Sequence, residues 1–200
     1  MSTKNLNDLL DNSLKDLIDH FCHDNDFKQR LLYTLLPAGK YIRSHLAFNI
    51  ANDFSLTNQD ELLLLCCAIE THHTYTLIHD DLPCMDNDIY RRGRLSHHLK
   101  YSEWEAVLAG DALLTLSYQI LTKINHSNNM KLLKLLGWAT GSKGLIYGQY
   151  LDLYEEKNNH SSSYKKVNLL KTARLFQVSC LGAYYLSCLL YTSPSPRDRG

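Results

Sequence analysis

Leucine and isoleucine recur at helical spacing through most of this chain, and that recurrence constrains the fold more than any other feature. Leu6, Leu9, Leu10, Leu14, Leu17, Ile18 and Phe21 form one stripe, and Leu31, Leu32, Leu35 and Leu36 form a second that ends at Pro37. Residues three and four apart share one face of a helix, so each stripe marks an amphipathic helix with a side to bury. The two helices should meet near residue 25. Leucine is abundant, whereas valine occurs only at Val107, Val167 and Val178, a bias towards helix formers and away from the β-branched residues that strands prefer. An all-α chain is expected, and its 200 residues suffice to bury a core as one domain or a large part of one.

A third helix should follow Gly39, with Ile42, Leu46 and Ile50 on one face. A fourth should start near Asp60 and run through the apolar block Leu62 to Ile69 towards Leu82, where Pro83 disfavours helical geometry in the residue before it. Ser102 and Glu105 have the spacing of a capping box that opens a fifth helix through Leu121. Ser127 is expected to cap a sixth, to about Gln149, and Ser163 a seventh. The 21 basic residues offset 21 acidic ones, so no global field gathers nucleic acid. Six cysteines lack framework spacing and the Met1 end lacks the apolar core of a signal peptide, which suits a reducing cytoplasm. The longest uncharged stretch, from Leu175, is interrupted by Gln177, Ser179, Gly182 and Ser187, so no stable insertion into a membrane is expected.

Residues capable of chemistry concentrate between His79 and Arg94. Asp80, Asp81, Asp86 and Asp88 repel one another, and those at the end of a helix also face the negative end of its dipole. A cation must offset that charge. Oxygen-only ligands suit a hard ion, and Mg²⁺ usually binds through one or two carboxylates together with phosphate oxygens, which implies a phosphorylated substrate. Arg91, Arg92 and Arg94 follow closely, and guanidinium forks match phosphate oxygens. Spacing alone is equally compatible with a solvated loop whose opposite charges pair with each other. Asp80 and Asp86 would lie roughly 240° apart on an unbroken helix, so they converge only if the chain bends near Pro83. His72, His73, His79, His97 and His98 have no thiolate pair at finger spacing nearby, and zinc is not expected.

Asp80-Asp81, four further residues, Asp86 and then Arg91-Arg92-Gly93 resemble the first aspartate-rich motif of the trans-prenyl diphosphate synthases, in the four-spacer form of bacterial farnesyl and plant-type geranylgeranyl diphosphate synthases. Gly39-Lys40-Tyr41-Ile42-Arg43 resembles the GGKRLRP segment of that family, and Glu70 to His79 resembles its E-x-x-H-x-x-SLIH stretch. Leu108 to Leu114, Gly148 to Leu153 and Lys171-Thr172 follow in the family's order. The resemblance implies an isoprenoid-synthase-type helical bundle around a deep central cavity. It also implies a prenyltransferase that joins isopentenyl diphosphate to dimethylallyl or geranyl diphosphate, releases diphosphate and works as a homodimer. Carried over residue by residue, Gly39, Lys40, Arg43, His73 and Arg92 would bind isopentenyl diphosphate. Asp80, Asp81 and Asp86 would hold Mg²⁺ on the allylic diphosphate, with Arg91, Lys171 and Thr172 contributing and Gln149 and Asp152 lining the cavity. Tyr75 and Thr76, the former roughly 7.5 Å of helical rise from Asp80, would set product length. In the resembled family an aromatic ring at that depth goes with short products, which favours the C15 farnesyl chain over C20.

The sequence departs from the family at Ala38 and Ser44, where glycine and proline are usual, and at Ala173, where glycine is common. No second aspartate-rich motif follows Lys171, so the C-terminal helices are expected to be missing. Residues 1–190 then form a partial synthase domain, and 191–200 a polar, proline-interrupted tail foreign to it. A geranylgeranyl diphosphate synthase and an inactive fragment or regulatory subunit of a synthase remain alternatives. An HD-type metal phosphohydrolase built on His79-Asp80, with Asp111 as a distant ligand, would leave Lys40, Arg43, Arg91 and Arg92 unexplained.

Overall fold

The two leucine stripes form α1 (Thr3–Phe21) and α2 (Asn25–Leu35), meeting where their periodicity breaks. Asp24 makes the corner: its backbone is extended and its carboxylate accepts the Phe27 N–H at 2.7 Å, satisfying one of the free donors that open α2. The computed structural model describes residues 3–37, 39–56, 58–158 and 164–187.

The third helix, α3 (Ile42–Asp53), turns a different face inward from the one its hydropathy suggests. Ile42 is 57% exposed and Leu46 and Ile50 are half-buried, while Ser44, Ala47, Phe48 and Ala51 are buried. The small residues let α3 lie close against α4 (Gln59–Asp80) and α10 (Arg174–Ser187), and that close approach outweighs the burial of three larger side chains. Helix α4 is the axis of the molecule. Asn58 caps it by accepting the N–H groups of Asp60 and Glu61, and Leu62, Leu65, Ile69 and Ile78 along it are fully buried. Buried on most of its sides, it packs along its length on α6 (Glu103–Thr122) and also on α1 and α3. It stops at Asp80, two residues before the expected end, because the chain turns ahead of Pro83 with Leu82 N–H reaching back to the His79 carbonyl at 3.2 Å.

Past the acidic loop the chain makes the only sheet among the described residues, β1 (Tyr90–Arg91) paired antiparallel with β2 (Arg94–Leu95). Arg92 and Gly93 join the strands at φ 52° and 75°. Two positive φ values in a two-residue loop define the type I′ turn, whose twist matches that of paired strands, so the glycine of Arg-Arg-Gly-Arg has a conformational reason. A short α5 (His97–Lys100) leads to α6, where the Ser102–Glu105 cap is formed: Glu105 N–H donates to Ser102 Oγ at 3.4 Å, and that hydroxyl donates to the Glu105 carboxylate at 2.6 Å.

The expected sixth helix is two. Asn128, not Ser127, precedes α7 (Asn129–Thr140), and α8 (Leu145–Asn158) starts afresh after a corner at Gly141–Gly144. A Cβ on Gly144 would stand 2.0 Å from the Ala139 carbonyl oxygen, so glycine is obligatory in that corner. The chain then runs through α9 (Tyr164–Asn168), a π-helical turn (Leu169–Ala173) and α10. Ala38, the proposed cap Ser163 and the tail at 191–200 lie outside the described residues. Among the described residues no helix is long and apolar enough to cross a membrane. The all-α expectation holds, with the hairpin as a two-by-two-residue exception.

Gly93 offers a clean measure of the hairpin turn, since nothing lies within 4 Å of where its Cβ would stand. Gly93→Ala should destabilise the fold in urea unfolding by about 1 kcal/mol through the backbone alone, and Gly93→Asn by less, because Asn tolerates the left-handed region. Equal losses for the two variants would contradict the conformational explanation.

Candidate active site

Helix α4 sets His73, Thr76 and Asp80 three or four residues apart on one face, and that face opens on a cavity of about 130 Å³. Arg43 from α3, Leu145 and Gln149 from α8, Lys171 and Thr172 from the π-helical turn and Leu175 from α10 complete its lining. Residues that the resemblance assigns to two different diphosphates therefore meet around one space. A larger cavity of about 440 Å³ shares Thr76, Asp80, Leu145 and Gln149 with it and adds Tyr75, Met85, Leu114, Ile146, Tyr150 and Leu153, together with His79 and Asp111. Polar and cationic groups line the first space beside Leu77, Leu145 and Leu175, and mostly apolar ones line the second.

The bend at Pro83 supplies the convergence that Asp80 and Asp86 need. Asp86 N–H donates to the Asp80 carbonyl at 2.9 Å, and Asn87, at φ 54°, donates to the Leu82 carbonyl at 3.1 Å. The Asp80 carboxyl is pushed up to about 6, first by burial and then by Asp86 and Asp81, against the opposing pull of Lys171. Asp81 is 1% exposed and spends its charge on Arg91, whose Nε lies 2.9 and 3.2 Å from its two oxygens; Arg91 Nη2 reaches Asp88 at 2.7 Å as well. Burial still holds the Asp81 carboxyl above its ordinary value. Asp81 and Arg91 are thus each other's partners, whereas neither Asp80 nor Asp86 has an ion pair among the described residues. Among the described residues no three His, Cys, Asp or Glu side chains gather into a ready metal cage. The donor set fits a hard divalent ion that takes its remaining oxygens from a phosphorylated ligand.

Lys171 shows why the spacing of Gly148, Gln149 and Asp152 matters. A Cβ on Gly148 would come within 2.6 Å of the Lys171 backbone nitrogen, so glycine alone lets α8 lie against the π-helical turn. Gln149, the next residue, lines the cavity with its Nε2 buried and unpartnered among the described residues, and Asp152, one turn on, accepts from Lys171 Nζ at 2.7 Å. Asp152 therefore holds a cavity residue in place.

The other cationic wall is Arg43, with Arg92 and His73 near it. The Arg43 guanidinium stacks on the Phe176 ring at 4.7 Å, and its buried Nε has no partner among the described residues. Arg92 passes over Gly39, where a Cβ would sit 3.3 Å from the guanidinium. Burial lowers both arginines, and each further disfavours the charge of the imidazole between them: His73 is pulled down to about 3 by burial and then by Arg43 and Arg92. Glu70 is the buried counter-charge. It accepts the Ser44 hydroxyl at 2.7 Å, and burial raises its carboxyl against the pull of Ser44, Arg43 and Arg92. Ser44, anomalous as a departure from the resembled motif, thus has a structural task. Lys40 is exposed beside this wall, and Arg91 and Arg92 line a separate small cleft with Tyr33 and His97.

Tyr75 is 5% exposed, with its ring edge-on to His72 and His79 at 4.8 and 5.5 Å. His79 Nε2–H donates to the Val107 carbonyl at 3.1 Å, a contact that Gly110 permits, since a Cβ there would fall 2.1 Å from that nitrogen. Sequence reasoning missed Leu145 and Ile146 and gave Tyr150 and Leu153, within the 148–153 stretch, no cavity role; their shared face is readable only once the Gly141–Gly144 corner separates α8 from α7.

The sequence profile described as Polyprenyl synthetase matches residues 24–193. The chain belongs to that family. It is 36% identical over 198 residues to the farnesyl diphosphate synthase of Buchnera aphidicola subsp. Schizaphis graminum, an alignment covering 94% of this chain and 67% of that protein. It is 40% identical over 154 residues to the farnesyl diphosphate synthase of Micrococcus luteus, covering 76% of this chain and 53% of the relative. The crystal structure of a geranyltranstransferase from Thermotoga maritima superposes with a TM-score of 0.84 at 27% identity, over 94% of this chain and 69% of that one. The chain thus spans half to two thirds of the length of these polyprenyl synthetases.

Two buried histidines of α4 make the fold acid-sensitive. His72 and His73 are both held near 3, while an imidazole in the unfolded chain titrates at its ordinary 6.5. Between those values the unfolded state binds more protons, so their contribution is complete above about pH 6.5 and is lost as pH falls towards 3. Urea unfolding at a series of pH values should show that decline, and His73→Gln should flatten it; an unchanged acid slope in the variant would contradict the neutral assignment.

Proposed function

We propose that this polyprenyl synthetase condenses isopentenyl diphosphate with geranyl or dimethylallyl diphosphate to give farnesyl diphosphate and free diphosphate, using Mg²⁺. One observation carries the reading: a small cavity lined by Arg43, His73, Lys171 and Thr172 shares Thr76, Asp80 and Gln149 with a larger, mainly apolar one. A diphosphate suits the first and a growing hydrocarbon the second. Breaking the allylic C–O bond places charge on the departing diphosphate, and Lys171 and Thr172, fixed beforehand by Gly148 and Asp152, stabilise that charge as it grows. Mg²⁺ bound at Asp80 and Asp86 would supply further positive charge to the same oxygens. Arg43, Arg92, Lys40 and neutral His73, which has one N–H to give, hold the isopentenyl diphosphate. Its double bond then attacks C1 of the allylic partner, a proton passes to the released diphosphate, and Leu114, Ile146 and Leu153 keep water from the cation. Asp81 serves by holding Arg91 at the rim.

Tyr75 supports a C15 product, because its buried ring stands in the wall of the apolar cavity at a depth of about one and a half turns below Asp80. Two further proposals follow the family: a homodimer, for which α6 leaves Trp104 and Leu108 in solvent, and a reducing cytoplasm, which suits the free state of all five described cysteines.

Condensation is measured with Mg²⁺, geranyl diphosphate and labelled isopentenyl diphosphate, in the chain and in a form extended by the remaining third of the Buchnera aphidicola relative. Asp80→Asn should lower turnover by about 10²–10³-fold, the usual effect of removing one preorganised electrostatic group; retained turnover with unchanged Mg²⁺ dependence would refute the assignment of Asp80. In the same extended form Tyr75→Ala should shift the product to longer chains on chromatography, and an unchanged distribution would remove Tyr75 from that role.

A further inference from the structure

Tyr41 lies between two residues of the proposed isopentenyl diphosphate site, Lys40 and Arg43, and its conformation is unusual. Its φ is 49°, in the left-handed region that a bulky side chain rarely occupies, and it stands at the start of α3 with no side-chain cap of the ordinary kind. Something outside the loop must hold it there. The ring is 4% exposed, and its hydroxyl donates to Asp11 Oδ1 on α1. One turn further along α3, His45 Nε2 donates to Asn7 Oδ1 at 2.8 Å. Asn7 and Asp11 are four apart on α1, and Tyr41, the residue that opens α3, stands four before His45 on that helix, so two rungs tie the helices together in antiparallel order. The upper rung falls between the two cationic residues.

We propose that Tyr41 and Asp11 form a latch from α1 that fixes the direction of Lys40 and Arg43, making Tyr41 a positioning residue for isopentenyl diphosphate. The inference rests on the function proposed above. Neither residue touches the ligand in this account. Their bond holds a strained backbone in the one conformation that opens α3 beside Arg43 while leaving Lys40 free on the outer side. The allylic half of the site, with Asp80, Lys171 and Thr172, is built on α4 and the π-helical turn and does not depend on the latch.

The test titrates the chain calorimetrically with isopentenyl diphosphate, and separately with geranyl diphosphate and Mg²⁺. Tyr41→Phe removes only the hydroxyl and should weaken isopentenyl diphosphate roughly tenfold, the scale of one charge-assisted hydrogen bond, while leaving geranyl diphosphate within about twofold. Asp11→Ala should match it, Asp11→Asn, which keeps an acceptor oxygen, should retain most of the affinity, and Tyr41→Phe with Asp11→Ala should be no weaker than either alone. Wild-type isopentenyl diphosphate affinity in Tyr41→Phe overturns the latch, as does an equal loss for both ligands, which marks a general effect on folding. A wild-type chain that binds neither diphosphate refutes the proposed function itself, and is thereby told apart from failure of the latch.

Discussion

The rest of the site depends on the last turn of α4. A buried helix delivers its final carboxylate, Asp80, to a place where desolvation, the negative end of the helix dipole and two neighbouring carboxylates all oppose ionisation. The fold answers only part of that charge. Asp81 is neutralised by Arg91, and Lys171, already shared with Asp152, leans on Asp80 without pairing with it. Opposite stand Arg43 and Arg92, both pulled down by burial and facing the buried anion Glu70. Opposite charges are thus kept close but apart, and under the proposed function a metal diphosphate would bring each wall the sign it lacks.

Glycine makes this arrangement possible through the approach of backbone to side chain. Gly148 admits the Lys171 backbone, Gly110 admits the His79 ring, Gly39 lies under the Arg92 guanidinium, and Gly93 closes the hairpin that presents the arginines. Only the last of these concerns backbone freedom. The others concern the space a methyl group would fill, so a substitution there would move a functional residue without removing one.

Much of this was legible in the sequence, and the limits are physical. The stripes of α1 and α2 and the Ser102–Glu105 cap could be read because each depends on residues a few positions apart. The inward face of α3 could not, since it is chosen by how closely α4 and α10 approach and not by the hydropathy of Ile42. The α7–α8 corner was missed because a helix tolerates isolated glycines, so Gly141 and Gly144 do not by themselves mark its end, and the π-helical turn has no compositional mark. At the site, the charged residues were legible as a motif. Their mutual engagement, Asp81 with Arg91 and Asp152 with Lys171, required coordinates, because a carboxylate that faces a metal and one that orients a cation are spelled with the same letter.

The central claim is that the two walls are completed together by a cation and a diphosphate. Calorimetric titration of the chain with inorganic diphosphate, at several Mg²⁺ concentrations, tests it directly. The account predicts that each ligand tightens the other by the same factor, as linkage demands, and by about tenfold or more, since the diphosphate would meet the cation that Asp80 holds. Diphosphate affinity that does not change with Mg²⁺ would contradict it.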